Sequence, residues 1–250
     1  MLRGAWALLV FLVATPCIAG GALVASLVRR REVDLRPAAL WSRAMLRAVG
    51  AEVEYLDVGH AATEGSCVFA ANHQSNVDIW AVIPALPRQT KFVVKQSLFR
   101  IPLLGGAMRR AGFVSIDRSD RKRAIESLRV AAELIRNGRP VIVFPEGTRS
   151  RDGSLAAFKK GSFHLALQAG VPIVPVAISG SWRVLPPGLW RVRPGPVRVR
   201  FLDPIRTSGV GSGSSPDVEA LRERTRDAIA RALETDLAPA VPAERIATVS

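Results

Sequence analysis

His73 and Asp78 stand five residues apart in the run Asn72-His73-Gln74-Ser75-Asn76-Val77-Asp78. An imidazole is the side chain best suited to taking a proton near neutral pH, and a carboxylate beside it fixes which ring nitrogen keeps its own. Such a pair deprotonates an alcohol and makes it a nucleophile. Residues five apart in a continuous helix are rotated by about 140°, so these two side chains meet only across a turn. The sequence supplies that turn: an apolar run ends at Ala71, His73 falls in a connection, and Asp78 falls in the first turn of the next predicted helix. A local reading competes. Ser75 to Asp78 also fits the Ser-x-x-Asp variant of a capping box, in which Asp78 bonds backbone at the helix start in place of His73.

Three further blocks follow in order. Gly112-Phe113-Val114-Ser115-Ile116-Asp117-Arg118 ends in an acid and a guanidinium. Phe144-Pro145-Glu146-Gly147-Thr148-Arg149-Ser150 leaves an apolar run, the usual place for a site in an α/β fold. There Gly147 permits close backbone approach and Arg149 offers paired donors that match a phosphate, although an ordinary turn with a Glu146–Arg149 surface ion pair would read the same way. Val171-Pro172-Ile173-Val174-Pro175-Val176 is apolar and reads as a core strand.

In this order the four blocks resemble the glycerolipid acyltransferase family, specifically its 1-acylglycerol-3-phosphate acyltransferases, across residues 66 to 180. The resemblance implies His73 as the base and Asp78 as its orienter. It implies acceptor binding by Glu146, Gly147, Thr148, Arg149 and Arg118, and an acyl-side role for the last block. The implied reaction moves a fatty acyl group from a thioester, acyl-CoA or acyl carrier protein, to the free hydroxyl of 1-acylglycerol-3-phosphate, giving phosphatidic acid. Two other readings stay open: an acyltransferase for another lyso-lipid such as a lyso-ornithine lipid, and a membrane-tethered, non-enzymatic lipid-binding protein. Val114-Ser115 replaces the family's usual apolar pair but leaves Arg118 in register, while Asp117 fits a helix-capping role equally well. Lys95 and the Phe158-Lys159-Lys160-Gly161 segment also sit where the family has basic residues, and a surface lysine is ordinarily just solvated. His60 and His164 read as structural or exposed.

The elements that must hold these residues alternate. Pro37 to Val49 has helical spacing and stops at Gly50; Val53 to Val58 and Cys67 to Ala71 read as strands; Val77 to Leu86 is a helix stopped by Pro87. Lys91 to Lys95 and Phe113 to Ile116 are short strands, and Asp120 to Asn137 is a helix with Ile125, Leu128, Ala131, Ala132 and Ile135 on one face. Pro140 to Phe144, Ile173 to Ile178 and Val197 to Phe201 read as strands, Ser162 to Ala169 and Val218 to Leu237 as helices, and Gly209 to Ser215 as a flexible linker. The pattern predicts an α/β fold with a mixed, largely parallel sheet flanked by helices. Residues 1–50 form an anchor and amphipathic helix, 51–208 the catalytic domain, and 209–250 the linker and terminal helix.

Gly4 to Val28 carries no charge over 25 residues and reads as a membrane anchor, which Pro16 and Gly20-Gly21 could kink. A secretory signal ending near Cys17-Ile18-Ala19 is the alternative. Arg29-Arg30-Arg31 after this run favour a cytoplasmic body on the inner membrane. The formal net charge is +14, and residues 88–123 hold ten Lys/Arg against two acids, which suits an anionic membrane surface. A single Tyr and no RNA-binding signature argue against nucleic acid, and two distant cysteines give no disulfide framework. The sequence lacks a nucleophile elbow, a Walker loop and zinc spacing, so no metal or organic cofactor is indicated.

Overall fold

The computed structural model describes residues 2–30, 32–62, 65–117, 121–188, 191–207 and 215–237. In chain order the elements are α1 (Leu2–Arg29), α2 (Arg36–Val49), β1 (Ala51–Leu56), β2 (Val68–Ala71), α3 (Val77–Val82), β3 (Lys91–Lys95), α4 (Leu104–Arg110) and β4 (Val114–Ile116). They continue with α5 (Arg121–Arg136), β5 (Val141–Val143), α6 (Gly161–Ala169), β6 (Ile173–Ser179), α7 (Ser181–Val184), β7 (Gly195–Phe201) and α8 (Ser215–Leu237). The continuous apolar runs become the middle of the sheet. Every residue of β2, β5 and β6 is buried, as expected for strands covered on both faces.

One sheet of seven strands has the order β1-β7-β6-β2-β5-β3-β4. From β4 across to β6 all pairs are parallel; β7 runs antiparallel to β6, and β1 parallel to β7. The expected largely parallel, mixed sheet is therefore observed. After β2 the chain moves out to β3 and β4, returns to β5 beside β2, then crosses to β6 on the other side of β2. That reversal opens a crevice at the carboxyl ends of β2 and β5.

Alternating residues sort onto two faces. Phe69, Ile142, Val174, Val176, Ile178 and Phe201 face the layer of α2 and α3, which adds Met45, Val49 and Trp80. Val68, Ala70, Val141, Val143 and Ile173 face α5, α6 and α8, which contribute Ala131, Ile135, Phe163, Leu165, Leu221 and Ile229. Of the face predicted for α5, Leu128, Ala131, Ala132 and Ile135 pack as expected. Residues 208–214, most of the expected linker, lie outside the described residues.

Helix α1 runs unbroken through Pro16 and Gly20-Gly21 and lies lengthwise on the domain. Trp41 Nε1 donates to Thr15 Oγ1 at 3.0 Å, and Arg110 Nε donates to Ser26 Oγ at 2.8 Å. Between these two points, a methyl group added to Gly106 would lie 3.2 Å from Leu23. The outward face, with Trp6, Leu9, Leu12, Val13, Val24 and Leu27 all more than half exposed, is apolar. It is the one described helix long and apolar enough to cross a membrane.

Two helices were not legible in the pattern. α4 spans seven residues and contains Gly105 and Gly106, poor helix formers. Gly105 is required because any side chain there would strike the Phe99 carbonyl. α7 is a single turn, too short for periodicity to register. It is launched by Gly180, whose φ is +82° and whose Cα faces the Pro196 carbonyl of β7 closely enough to exclude a Cβ. Gly180→Ala combines left-handed strain with that collision, and should lower unfolding free energy by about 2 kcal/mol or more in denaturant titration.

Candidate active site

β2 delivers the chain to the crevice, and the next five residues are fixed mostly by their own polar groups. Asn72, fully buried, extends the β2–β6 ladder with its side chain: Nδ2 donates to Ile178 O at 2.9 Å, and Oδ1 accepts from Ile178 N at 2.7 Å. His73 follows. Its Nδ1 lies 2.8 Å from Asp78 Oδ2, and the same oxygen accepts from Gln74 N at 2.6 Å and Ser75 N at 2.7 Å. An oxygen already serving two N–H donors acts as an acceptor toward the third group, so Nδ1 donates to it, and in the neutral imidazole the lone pair falls on Nε2. Asp78 thus serves the backbone and the imidazole together, and the two readings of its spacing describe one arrangement. Its other oxygen meets no donor among the described residues.

Ser75 completes the turn: its Oγ donates to Leu185 O at 2.7 Å and accepts from Val77 N at 3.1 Å. The imidazole stacks on Phe144 at the end of β5, with ring centroids 4.2 Å apart and planes at 25°. Carboxylate on one edge and phenyl ring on one face leave little freedom for the ring. Its side chain retains 13% exposure.

The β5 loop is tied to the same turn. Glu146 is 3% exposed; Oε1 accepts from His73 N at 2.6 Å and Oε2 from Ala156 N at 3.1 Å. Burial pushes its carboxyl above the ordinary value of 4.5, and those two backbone donors pull the other way. Ser150 N donates to His73 O at 2.8 Å, and Gln74 Nε2 to Gly153 O at 2.8 Å. Glu146, expected to face the acceptor, therefore turns inward and holds both loops. Gly147 has φ +74°, which only a residue without Cβ adopts freely, and Thr148 is exposed. Arg149 Nη1 donates to Asn76 Oδ1 at 2.9 Å, which carries the guanidinium to the start of α3 beside Asp78.

His73, Asp78, Glu146, Gly147, Thr148 and Arg149 are thus gathered on two adjoining loops, whereas Arg118 lies outside the described residues. Lys95 is exposed at the end of β3. His60 lies at the opposite sheet edge, with Nδ1 3.0 Å from Phe201 O, and His164 is exposed on α6. Asn72, Gln74 and Phe144 carry no role in the sequence reading, and Ser75 only that of a helix cap, although each falls inside a quoted block. Signals for them existed in part: a polar residue ending a fully apolar strand, as Asn72 does, needs buried partners. The assembled group holds a base with a free lone pair beside a guanidinium, and so suits activation of a hydroxyl on an anionic molecule.

Residues 52–179 match the family model described as Acyltransferase. A chloroplastic 1-acyl-sn-glycerol-3-phosphate acyltransferase of Brassica napus is 41% identical over 140 residues, 56% of this chain and 40% of that protein. The human 1-acyl-sn-glycerol-3-phosphate acyltransferase alpha is 36% identical over 191 residues, 75% of this chain and 66% of that protein. The chain spans about half the length of the curated relatives it matches. The crystal structure of the 1-acyl-sn-glycerophosphate (LPA) acyltransferase from Thermotoga maritima is similar over 96% of this chain and 97% of that one, with a TM-score of 0.76 and 26% identity. Because the family model covers more than half of its residues, including both loops of the crevice, the chain belongs to the acyltransferase family.

Proposed function

We propose that this protein transfers a fatty acyl group from an acyl thioester, carried by coenzyme A or acyl carrier protein, to the free hydroxyl of 1-acylglycerol-3-phosphate, forming phosphatidic acid. The observation that carries the proposal is the crosslinked pair of loops, with His73 locked by Asp78 at 2.8 Å and the Arg149 guanidinium bonded to Asn76 in the same turn. The similarity to 1-acyl-sn-glycerol-3-phosphate acyltransferases supports the same acceptor.

His73 Nε2 takes the hydroxyl proton as that oxygen attacks the thioester carbonyl. The imidazolium is stabilised by Asp78, and the proton passes to the departing thiolate when the carbon–sulfur bond breaks. Arg149, and Arg118 with it, bind the acceptor phosphate and set the hydroxyl against His73. Cys67 is buried just before β2 and is not part of the route, so no acyl-enzyme is invoked. Glu146 acts through backbone: its carboxylate holds His73 N and the Ala156 segment in one frame. The site works at the cytoplasmic surface of the inner membrane. The apolar outer face of α1 and the net charge of +14 support attachment to anionic lipid.

His73→Ala should abolish about 10²- to 10⁴-fold of turnover while leaving the protein folded. The measurement is transfer of one labelled acyl group to a panel of lyso-lipids, with melting recorded alongside. Wild-type turnover in the variant removes His73 as the base. Preference for an acceptor without a phosphomonoester reassigns the substrate.

Glu146 carries a pH signature. Its raised carboxyl holds a proton more tightly in the folded chain than in the unfolded one, so its stabilising contribution is present below pH 4.5 and lost as pH rises through the elevated value. Glu146→Gln should remove that slope from the stability–pH curve and lower kcat about ten- to a hundredfold, because the amide turns a donor toward a backbone N–H. Parallel curves for the two proteins above pH 4.5 would show that this carboxyl does not titrate there.

Removing residues 1–28 should leave only vesicle binding that disappears between about 0.05 and 0.5 M salt, because screening acts on the basic surface alone. Cosedimentation reads the effect, and salt-resistant binding after truncation rules out α1 as the principal attachment.

A further inference from the structure

Gly147 and Lys159 lie in contact. A methyl group built on Gly147 would stand 2.8 Å from Lys159 Nζ and 2.9 Å from its Cε, so the end of the lysine rests on the one residue of the turn that has no side chain. The backbone holds it there: Lys159 N donates to Pro145 O at 2.8 Å, and Gly147 N donates to Phe144 O at 3.0 Å. Phe144 is the ring that stacks on His73.

The next lysine in sequence behaves differently. Lys160 Nζ pairs with Glu219 Oε2 of α8 at 2.9 Å, while the Lys159 ammonium has no carboxylate partner among the described residues. Asp152, the nearest acid in sequence, is engaged by Ser150 and Ser154, and Glu146, next to Gly147, has both oxygens on backbone N–H groups. Lys159 is exposed, yet its side chain lies back against the loop that carries Arg149. The result is two cations at one turn, Arg149 bonded to Asn76 and Lys159 resting on Gly147.

A phosphomonoester loses its second proton near pH 6 and is a dianion at neutral pH, whereas a phosphodiester carries one negative charge. Among the described residues the β5 loop turn brings one guanidinium to the headgroup, Arg149, which balances only half of the former. We infer that Lys159 is a further binding residue for the acceptor's phosphomonoester beside the two arginines, its ammonium acting with Arg149 to distinguish a dianionic headgroup from a monoanionic one. The inference deepens the acceptor assignment made above and rests on it.

The test separates binding from turnover. Full-length His73→Ala protein in detergent micelles is titrated calorimetrically with 1-acylglycerol-3-phosphate and with the corresponding phosphocholine diester, alone and combined with Lys159→Gln, Lys159→Arg or Lys160→Gln. Lys159→Gln should weaken monoester binding about tenfold and diester binding less than about twofold; Lys159→Arg should restore most of the loss. Lys160→Gln should change neither. In the active protein Lys159→Gln should raise the acceptor KM and spare kcat and the thioester KM, and it should shrink the tightening of acceptor binding as pH rises through about 6.

Unchanged monoester affinity in Lys159→Gln, or equal loss for both acceptors, overturns the inference even where turnover confirms the reaction. A wild-type protein that binds the monoester through Lys159 but transfers no acyl group overturns the reaction and leaves the inference standing. Failure of the wild-type protein to bind the phosphomonoester at all removes both.

Discussion

One carboxylate oxygen organises the crevice. Asp78 is fully buried, and its Oδ2 accepts from the His73 ring and from two successive backbone N–H groups. A charge withdrawn from water is tolerated only where hydrogen bonds and an opposite partial charge replace its hydration. Here the replacement comes from the turn that carries the base, so the turn cannot relax without stranding the carboxylate. The position of α3 matters for the same reason. Two residues beyond Asp78, Trp80 packs edge-on against Trp41 of α2 with ring centroids 6.1 Å apart, which fixes the helix that aims the carboxylate.

The second loop is held by exchange. Glu146 of the β5 loop secures the backbone of His73, while the carbonyl of His73 secures Ser150 of the β5 loop. Gln74 adds a tie to Gly153, against which the Trp182 ring also packs. Each loop therefore derives its shape from the other. Such mutual support follows from the topology, since β2 and β5 are adjacent parallel strands whose carboxyl ends open on the same edge. A site assembled this way is preorganised before substrate arrives.

How far the sequence discloses this arrangement depends on the kind of residue. β2, β5 and β6 are legible because burial on both faces writes a strand as an unbroken apolar run, and α5 because its one buried face repeats at helical spacing. α4 is hidden by two glycines whose reasons are tertiary: Gly105 faces the Phe99 carbonyl of the preceding turn, and Gly106 faces Leu23 of α1. The chemical residues are legible by type and order, but not by direction. Glu146 and Arg149 are three positions apart in one motif, yet one turns into the protein to hold backbone and the other reaches Asn76 at the surface. The alternatives for Asp78, helix cap or histidine partner, could not be separated in sequence because a single oxygen performs both functions. Asn72 shows the same limit: its amide substitutes for a peptide group in the ladder to Ile178, and the need for that arises only once β6 lies alongside.

The lengthwise seat of α1 also dictates an order of events. This helix is synthesised before the groups that receive it: Trp41 is 26 residues beyond Thr15, and Arg110 is 84 beyond Ser26. An N-terminal segment emerges well before such distant partners exist. Throughout that interval a 28-residue helix with no completed protein surface to lie on has an apolar medium as its best available environment. Assembly of this chain is therefore a problem in sequence as well as in space: the helix first requires an apolar host, and the domain that later claims one of its faces is built against a segment already in place.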